Sequence, residues 1–113
     1  MSELSIFEVL SNLLRPYAEE MNLKYDTDKN YYLEEEISST KPQMFGAVQI
    51  KKSYTSFHLF PVYCNPNLLN EISEELLKRM QGKSCFNFKS VDQIPLKELE
   101  ELVHSAHASL LKD

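Results

Sequence analysis

His58 and Cys85 carry the widest chemical repertoire in this chain. An imidazolium beside a thiol stabilises the thiolate and so activates a nucleophile. The same two groups can also contribute soft ligands to a metal ion. Each has a polar companion two positions away, Ser56 before His58 and Asn87 after Cys85. On a strand, that spacing puts both members of a couple on one side. Polar and apolar residues alternate through Cys85-Phe86-Asn87-Phe88-Lys89, as on a strand with one buried face. If the strands bearing His58 and Cys85 are neighbours, imidazole and sulfur meet. Tyr54, Ser56, His58, Lys83 and Cys85 are therefore the expected ligand-binding residues. The plainer role for this group is a polar patch with one hydrogen-bonded histidine and an inert cysteine. Neither a third orienting group nor an oxyanion donor can be named, so no catalytic residue is assigned.

Other groupings are weaker. A zinc site needs about four ligands, and Cys64, Cys85, His58, His104 and His107 are the only soft candidates. His104 and His107 lie three apart and can share an ion on a helix, though a surface or half-buried pair is the plainer outcome. Glu34, Glu35 and Glu36 can bind a hard cation, with Glu34 and Glu36 on one side of a strand and Glu35 on the other. Their plainer role is a charged edge strand that discourages aggregation. Arg79 and Lys83 flank a helix-to-strand corner and can attract an anion, or simply serve helix-end electrostatics and solvation. Tyr54, Phe45 and Phe60 can wall an apolar pocket on the His58 side, or be covered by a helix or a partner. No metal site is assigned, and the residues name no cofactor.

The elements that must position these groups follow from composition and pattern. The chain has 113 residues, of which 42% are hydrophobic and 26% charged, which suits one domain with one core over residues 1–113. A net charge of −5 argues against nucleic acid as a partner, because phosphate neutralisation needs clustered cations. Two glycines and no tryptophan argue against a glycine-rich phosphate loop or sandwich. Glu3, Glu8 and Arg15 interrupt any secretory apolar core, and no apolar run approaches the ~20 residues of a membrane span. A cytoplasmic protein with reduced, partly buried cysteines and no membrane association is expected.

Ile6, Leu10, Leu13, Leu14, Tyr17 and Met21 recur at helical spacing and predict a helix over 3–22 with Ser2 as N-cap, either kinked at Pro16 or split into two short helices with Pro16 opening the second. A polar turn at 26–30 precedes a strand from Tyr31 to Glu36, and a loop at 38–42 precedes strands at 44–50 and 54–63. The short gap at Lys51-Lys52-Ser53 makes the last two a hairpin. A loop of two or four residues puts Met44, Gly46, Val48 and Ile50 on one face with Thr55, Phe57 and Leu59. The other face then carries Phe45, Ala47 and Gln49 with Tyr54, Ser56, His58 and Phe60. Pro61 and Pro66 mark the exit from the sheet. A turn of helix follows at 67–71. Ser73 reads as the N-cap of a helix whose last turn holds Lys78 and Arg79 and which closes at Gly82. A fourth strand at 85–89 and a helix opened by Pro95, with Leu96, Leu99, Leu102, Val103, Ala106 and Leu110 inward, complete the chain.

Several segments in this order resemble the YdhG-like family of small bacterial proteins. They are Phe45-Gly46-Ala47-Val48, Tyr54-Thr55-Ser56-Phe57-His58-Leu59, Pro61-Val62-Tyr63, and the run from Arg79 to Phe88. The resemblance spans roughly residues 43–103. It implies an α+β fold with an antiparallel sheet and helices mainly on one face, and the elements read above give that fold the order α-β-β-β-α-β-α with a four-stranded sheet. Some members are described as frataxin-like and linked to iron delivery. Glu19, Glu20, Asp26, Asp28, Glu34 and Glu36 are the candidates here for the acidic residues that such a role uses. The resemblance implies no catalytic residues.

The resulting expectation is a small cytosolic binding protein that takes an unidentified ligand or protein partner on the sheet face bearing His58. A frataxin-like iron chaperone and a Cys/His enzyme are the alternatives.

Overall fold

A computed structural model gives the structure of the chain and describes residues 5–37, 41–70 and 72–111. Its fold is α+β, built on an open antiparallel sheet of five strands in the order of the chain. The strands are β1 (Asn22–Asp26), β2 (Asn30–Glu35), β3 (Gln43–Ile50), β4 (Thr55–Leu59) and β5 (Cys85–Phe88). The α-helices are α1 (Ile6–Leu14), α2 (Phe60–Cys64), α3 (Glu74–Leu77) and α4 (Leu96–Leu110). One face of the sheet, with Tyr31, Leu33, Val48, Phe57, Leu59, Phe86 and Phe88, joins Leu10 and Leu14 of α1 and Leu99, Val103 and Ala106 of α4 in a single core. None of the described helices is long and apolar enough to cross a membrane.

The fifth strand corrects the expected count of four. Residues 22–26 alternate apolar Leu23 and Tyr25 with polar neighbours, yet every residue of β1 is exposed, so burial adds little to its signal. Pairing with β2 and a tight turn hold it. In that turn Thr27 Oγ1 accepts from the backbone N–H groups of Lys29 (3.2 Å) and Asn30 (3.0 Å). With β1 at the edge, the glutamate-rich β2 is an internal strand rather than the expected edge.

Of the two arrangements expected around Pro16, the chain takes the split one, and the first helix ends at Leu14. Ser5 caps it, its Oγ accepting from Glu8 N–H at 3.1 Å, while the expected cap Ser2 lies outside the described residues. After Leu14 the chain tightens into a 3₁₀ turn over Arg15–Glu20, with Pro16 in its opening positions. Proline denies the α-helix a donor there and tolerates a helical start. The same logic ends β4 early. Pro61 sits in the first turn of α2, so Phe60 to Cys64 form a helix where the strand was expected to run on to Tyr63.

Ser73 does cap α3, accepting from Leu76 N–H at 3.2 Å. That helix lasts only to Leu77, well short of Gly82. Beyond it the chain doubles back along β5. Asn87 N–H donates to the Arg79 carbonyl (2.8 Å), Gln81 N–H donates to the Cys85 carbonyl (2.9 Å), and Met80 bridges Phe86. Gly82 is indeed left-handed, with φ of 83°, but it serves this turn rather than a helix end.

The β3–β4 register matches the parity argument, with Gly46 opposite Leu59, Val48 opposite Phe57 and Ile50 opposite Thr55. Gly46 faces the helices so closely that a Cβ there would stand 2.8 Å from Leu14 Cδ2. Phe45 departs from the expected face. Leu33 pairs with Gly46 and Glu34 with Met44, which leaves Phe45 as the extra residue of a bulge. Its ring is fully buried, 5.7 Å from Tyr17 and 6.4 Å from His107.

Candidate functional site

Paired residues of an antiparallel sheet project to the same side, so two rows cross the face opposite the helices. One runs Tyr25, Tyr32, Ala47, His58, Cys85. The other runs Asn30, Gln49, Ser56, Asn87. The backbone pairing beyond β5 extends them to Gln81 and Arg79. Burial alternates along β2 and β5, with Tyr31, Leu33, Phe86 and Phe88 inward and Tyr32, Cys85 and Asn87 only partly covered. Ala47 and Ser56 are nearly inaccessible because they are small and stand between larger cross-strand neighbours.

His58 and Cys85 are direct partners, with Sγ 3.7 Å from Nε2. Ser56 Oγ lies 3.3 Å from the same Nε2. Cys85 Sγ donates to Asn87 Oδ1 at 3.4 Å, and Ser56 Oγ donates to the Gln49 carbonyl at 3.4 Å. The network closes when His58 Nε2 carries its proton toward Ser56 and leaves Cys85 a thiol. Burial lowers the His58 pKa below its ordinary value, and the nearby Lys51 charge adds to the effect. Burial raises the Cys85 thiol above its ordinary value, against an opposing pull from Lys51. Both groups are therefore uncharged near neutral pH.

Further along the face, Tyr25 and Tyr32 meet edge to face at 5.8 Å. Lys24 Nζ stands 5.5 Å from the Tyr32 ring centre and 3.3 Å from Glu34 Oε2. At the other margin lies a cleft of about 300 Å³, walled by Tyr54, Lys78, Arg79, Gln81, Asn87 and Lys89.

Of the five expected binding residues, Ser56, His58 and Cys85 come together. Tyr54 joins them only through the cleft it shares with Asn87. Lys83 does not: its ammonium sits 5.8 Å over the Tyr63 ring, in a separate apolar groove with Val62, Leu69 and Met80. The expected aromatic wall of Tyr54, Phe45 and Phe60 does not form. Phe45 turns inward at its bulge, and Phe60 starts α2, where it stacks on Tyr63 at 5.6 Å. Cys64 is exposed rather than partly buried, and both cysteines are free.

His104 is exposed, whereas His107 packs on Tyr17 at 4.8 Å and lies against Glu20, in a contact not aligned as a hydrogen bond. Among the described residues, no three His, Cys, Asp or Glu side chains converge as metal ligands. Lys78, Gln81 and Lys89 were not expected beside this face, and Arg79 was expected in the last turn of a helix. Their signal was the two-residue spacing of Arg79 and Gln81 around the apolar Met80, hidden by an apparently continuous helix. No protein-family model, curated protein or solved structure matches the chain.

Proposed function

We propose that the chain is a non-enzymatic binding protein whose recognition surface is the sheet face carrying His58. One observation carries this reading: hydrogen-bonding and aromatic side chains stand in register across a face on which the described helices do not pack. The centre of that face is polar but uncharged, so covering it with a ligand or a partner surface avoids the large cost of desolvating ions. Pairing among Ser56, His58, Cys85 and Asn87 holds these groups in place beforehand, which lowers the ordering cost of association.

The Cys/His enzyme draws less support. Its two groups meet as the reaction would need, but burial favours the thiol over the thiolate that attacks. The iron-chaperone reading, which comes with the YdhG-like resemblance and its frataxin-like fold, also draws less support. Glu34 pairs with Lys24, Glu36 accepts from Asn22 at 2.5 Å, and Glu20 lies against His107. Three of its candidate acids are thus already engaged.

Fragment screening by amide correlation NMR tests the proposal. Bound fragments are expected to shift Ser56, His58, Cys85 and Asn87 together. Hits gathered only in the apolar groove of Val62, Leu69, Met80 and Lys83, with those four unmoved, would sink it.

A further inference from the structure

The cleft beside this face gathers three cations on a chain of net negative charge. The chain carries 17 acidic residues against 12 lysines and arginines. This cleft is walled by Lys78, Arg79 and Lys89 with Tyr54, Gln81 and Asn87, and no acid among the described residues lines it. Nor does any carboxylate among the described residues form an ion pair with those three cations. Like charges gathered in one cleft repel each other, and the repulsion is relieved when an anion enters.

Backbone pairing sets the arrangement. Arg79 is tied opposite Asn87, and the partly buried Met80 packs against the core, so Arg79 and Gln81 project to the side of Asn87. Lys89 directly follows β5, and Tyr54 directly precedes β4, whose first residue Thr55 pairs with Phe88. Lys51, at the start of the same β3–β4 turn, adds positive potential reaching His58 and Cys85.

We propose that this cleft binds the phosphoryl group of a small phosphate monoester, with the Tyr54 ring available to the ester's organic body. A dianion suits three cations better than a monocarboxylate does, and guanidinium matches phosphate oxygens in a two-pronged geometry. Gln81 and Asn87 supply neutral amide donors. The volume of about 300 Å³ admits a phosphoryl group with one ring. The inference rests on the open-face reading only for the neighbourhood it shares through Asn87.

Titration of the full chain with inorganic phosphate, phenyl phosphate and citrate, followed by amide NMR at physiological salt, tests it. Phosphate and phenyl phosphate are expected to give saturable shifts at Arg79, Gln81, Asn87 and Lys89, with phenyl phosphate also moving Tyr54. Raising the salt should weaken both. Lys78→Gln with Lys89→Gln, both at exposed positions, should lose at least about tenfold in affinity while far-UV circular dichroism stays unchanged. Arg79→Gln should do the same. Saturable citrate binding without phosphate binding would overturn the phosphoryl assignment. Shifts that never saturate and spread over all lysines, or variants that titrate like the parent, would overturn the site itself. None of these results bears on fragment binding at Ser56, His58 and Cys85, so the two readings fail separately.

Discussion

At the scale of single residues, the behaviour of His58 follows from where β4 puts it. A partly buried imidazole with a hydroxyl and a thiol beside it, and Lys51 nearby, resists protonation. In the unfolded chain the same side chain titrates near about 6.5. Below that pH the unfolded state binds the extra proton more readily than the folded state does. His58 therefore leaves stability unchanged above about 6.5, and stability falls as pH drops toward the lower folded value. Urea unfolding at pH 7.5 and 5.5 should show that loss, and His58→Gln should shrink it. An equal pH dependence in parent and variant would mean the imidazole is not desolvated. The meeting of His58 and Cys85 was legible beforehand, because strand parity depends only on counting residues. Lys83 was misplaced because it lies in the turn before β5, where alternation no longer governs direction.

Among the elements, the tightest fit is that of α1 on the sheet. Gly46 sits under Leu14, which is fully buried. A methyl group there would also stand 3.2 Å from the His58 carbonyl of the paired strand. Gly46→Ala should cost about 1–3 kcal/mol through overpacking, read as a lower urea midpoint. In a double-mutant cycle with Leu14→Ala the two changes should couple, since they contest one volume. A Gly46→Ala protein as stable as the parent would show that α1 floats on the sheet rather than locking to it. Helix starts were readable at α3 and near the start of α4, through Ser73 and Pro95. Helix ends were not, because Lys78, Arg79 and Met80 suit a helix as well as the edge pairing they adopt.

For the whole molecule, one core joins both layers, and Phe57 lies fully buried within it on β4, paired with Val48 and Phe86. Phe57→Ala should cost about 3–5 kcal/mol. That is a large share of the roughly 5–15 kcal/mol that stabilises a domain, so the variant should sit near its unfolding transition at 25 °C. A melting temperature within a few degrees of the parent would mean the layers are held elsewhere. The distribution of charge is also a property of the whole. A net charge of −5 argued against nucleic acid as a partner, yet folding gathers three cations from two separate segments into one cleft. Formal charge is a sum, whereas binding responds to local potential.

Strand periodicity, proline placement and the Ser73 cap are each read from residues only a few positions apart along the chain. They were enough to set the α+β class, the β3–β4 register and the side on which His58 projects. Tertiary packing settled the rest: β1 at the edge, the bulge at Phe45, and the Arg79–Gln81 segment laid along β5. Each of those depends on backbone hydrogen bonds to a neighbouring segment. Nearly every residue offers the same N–H and C=O, so side-chain identity does not name the partner.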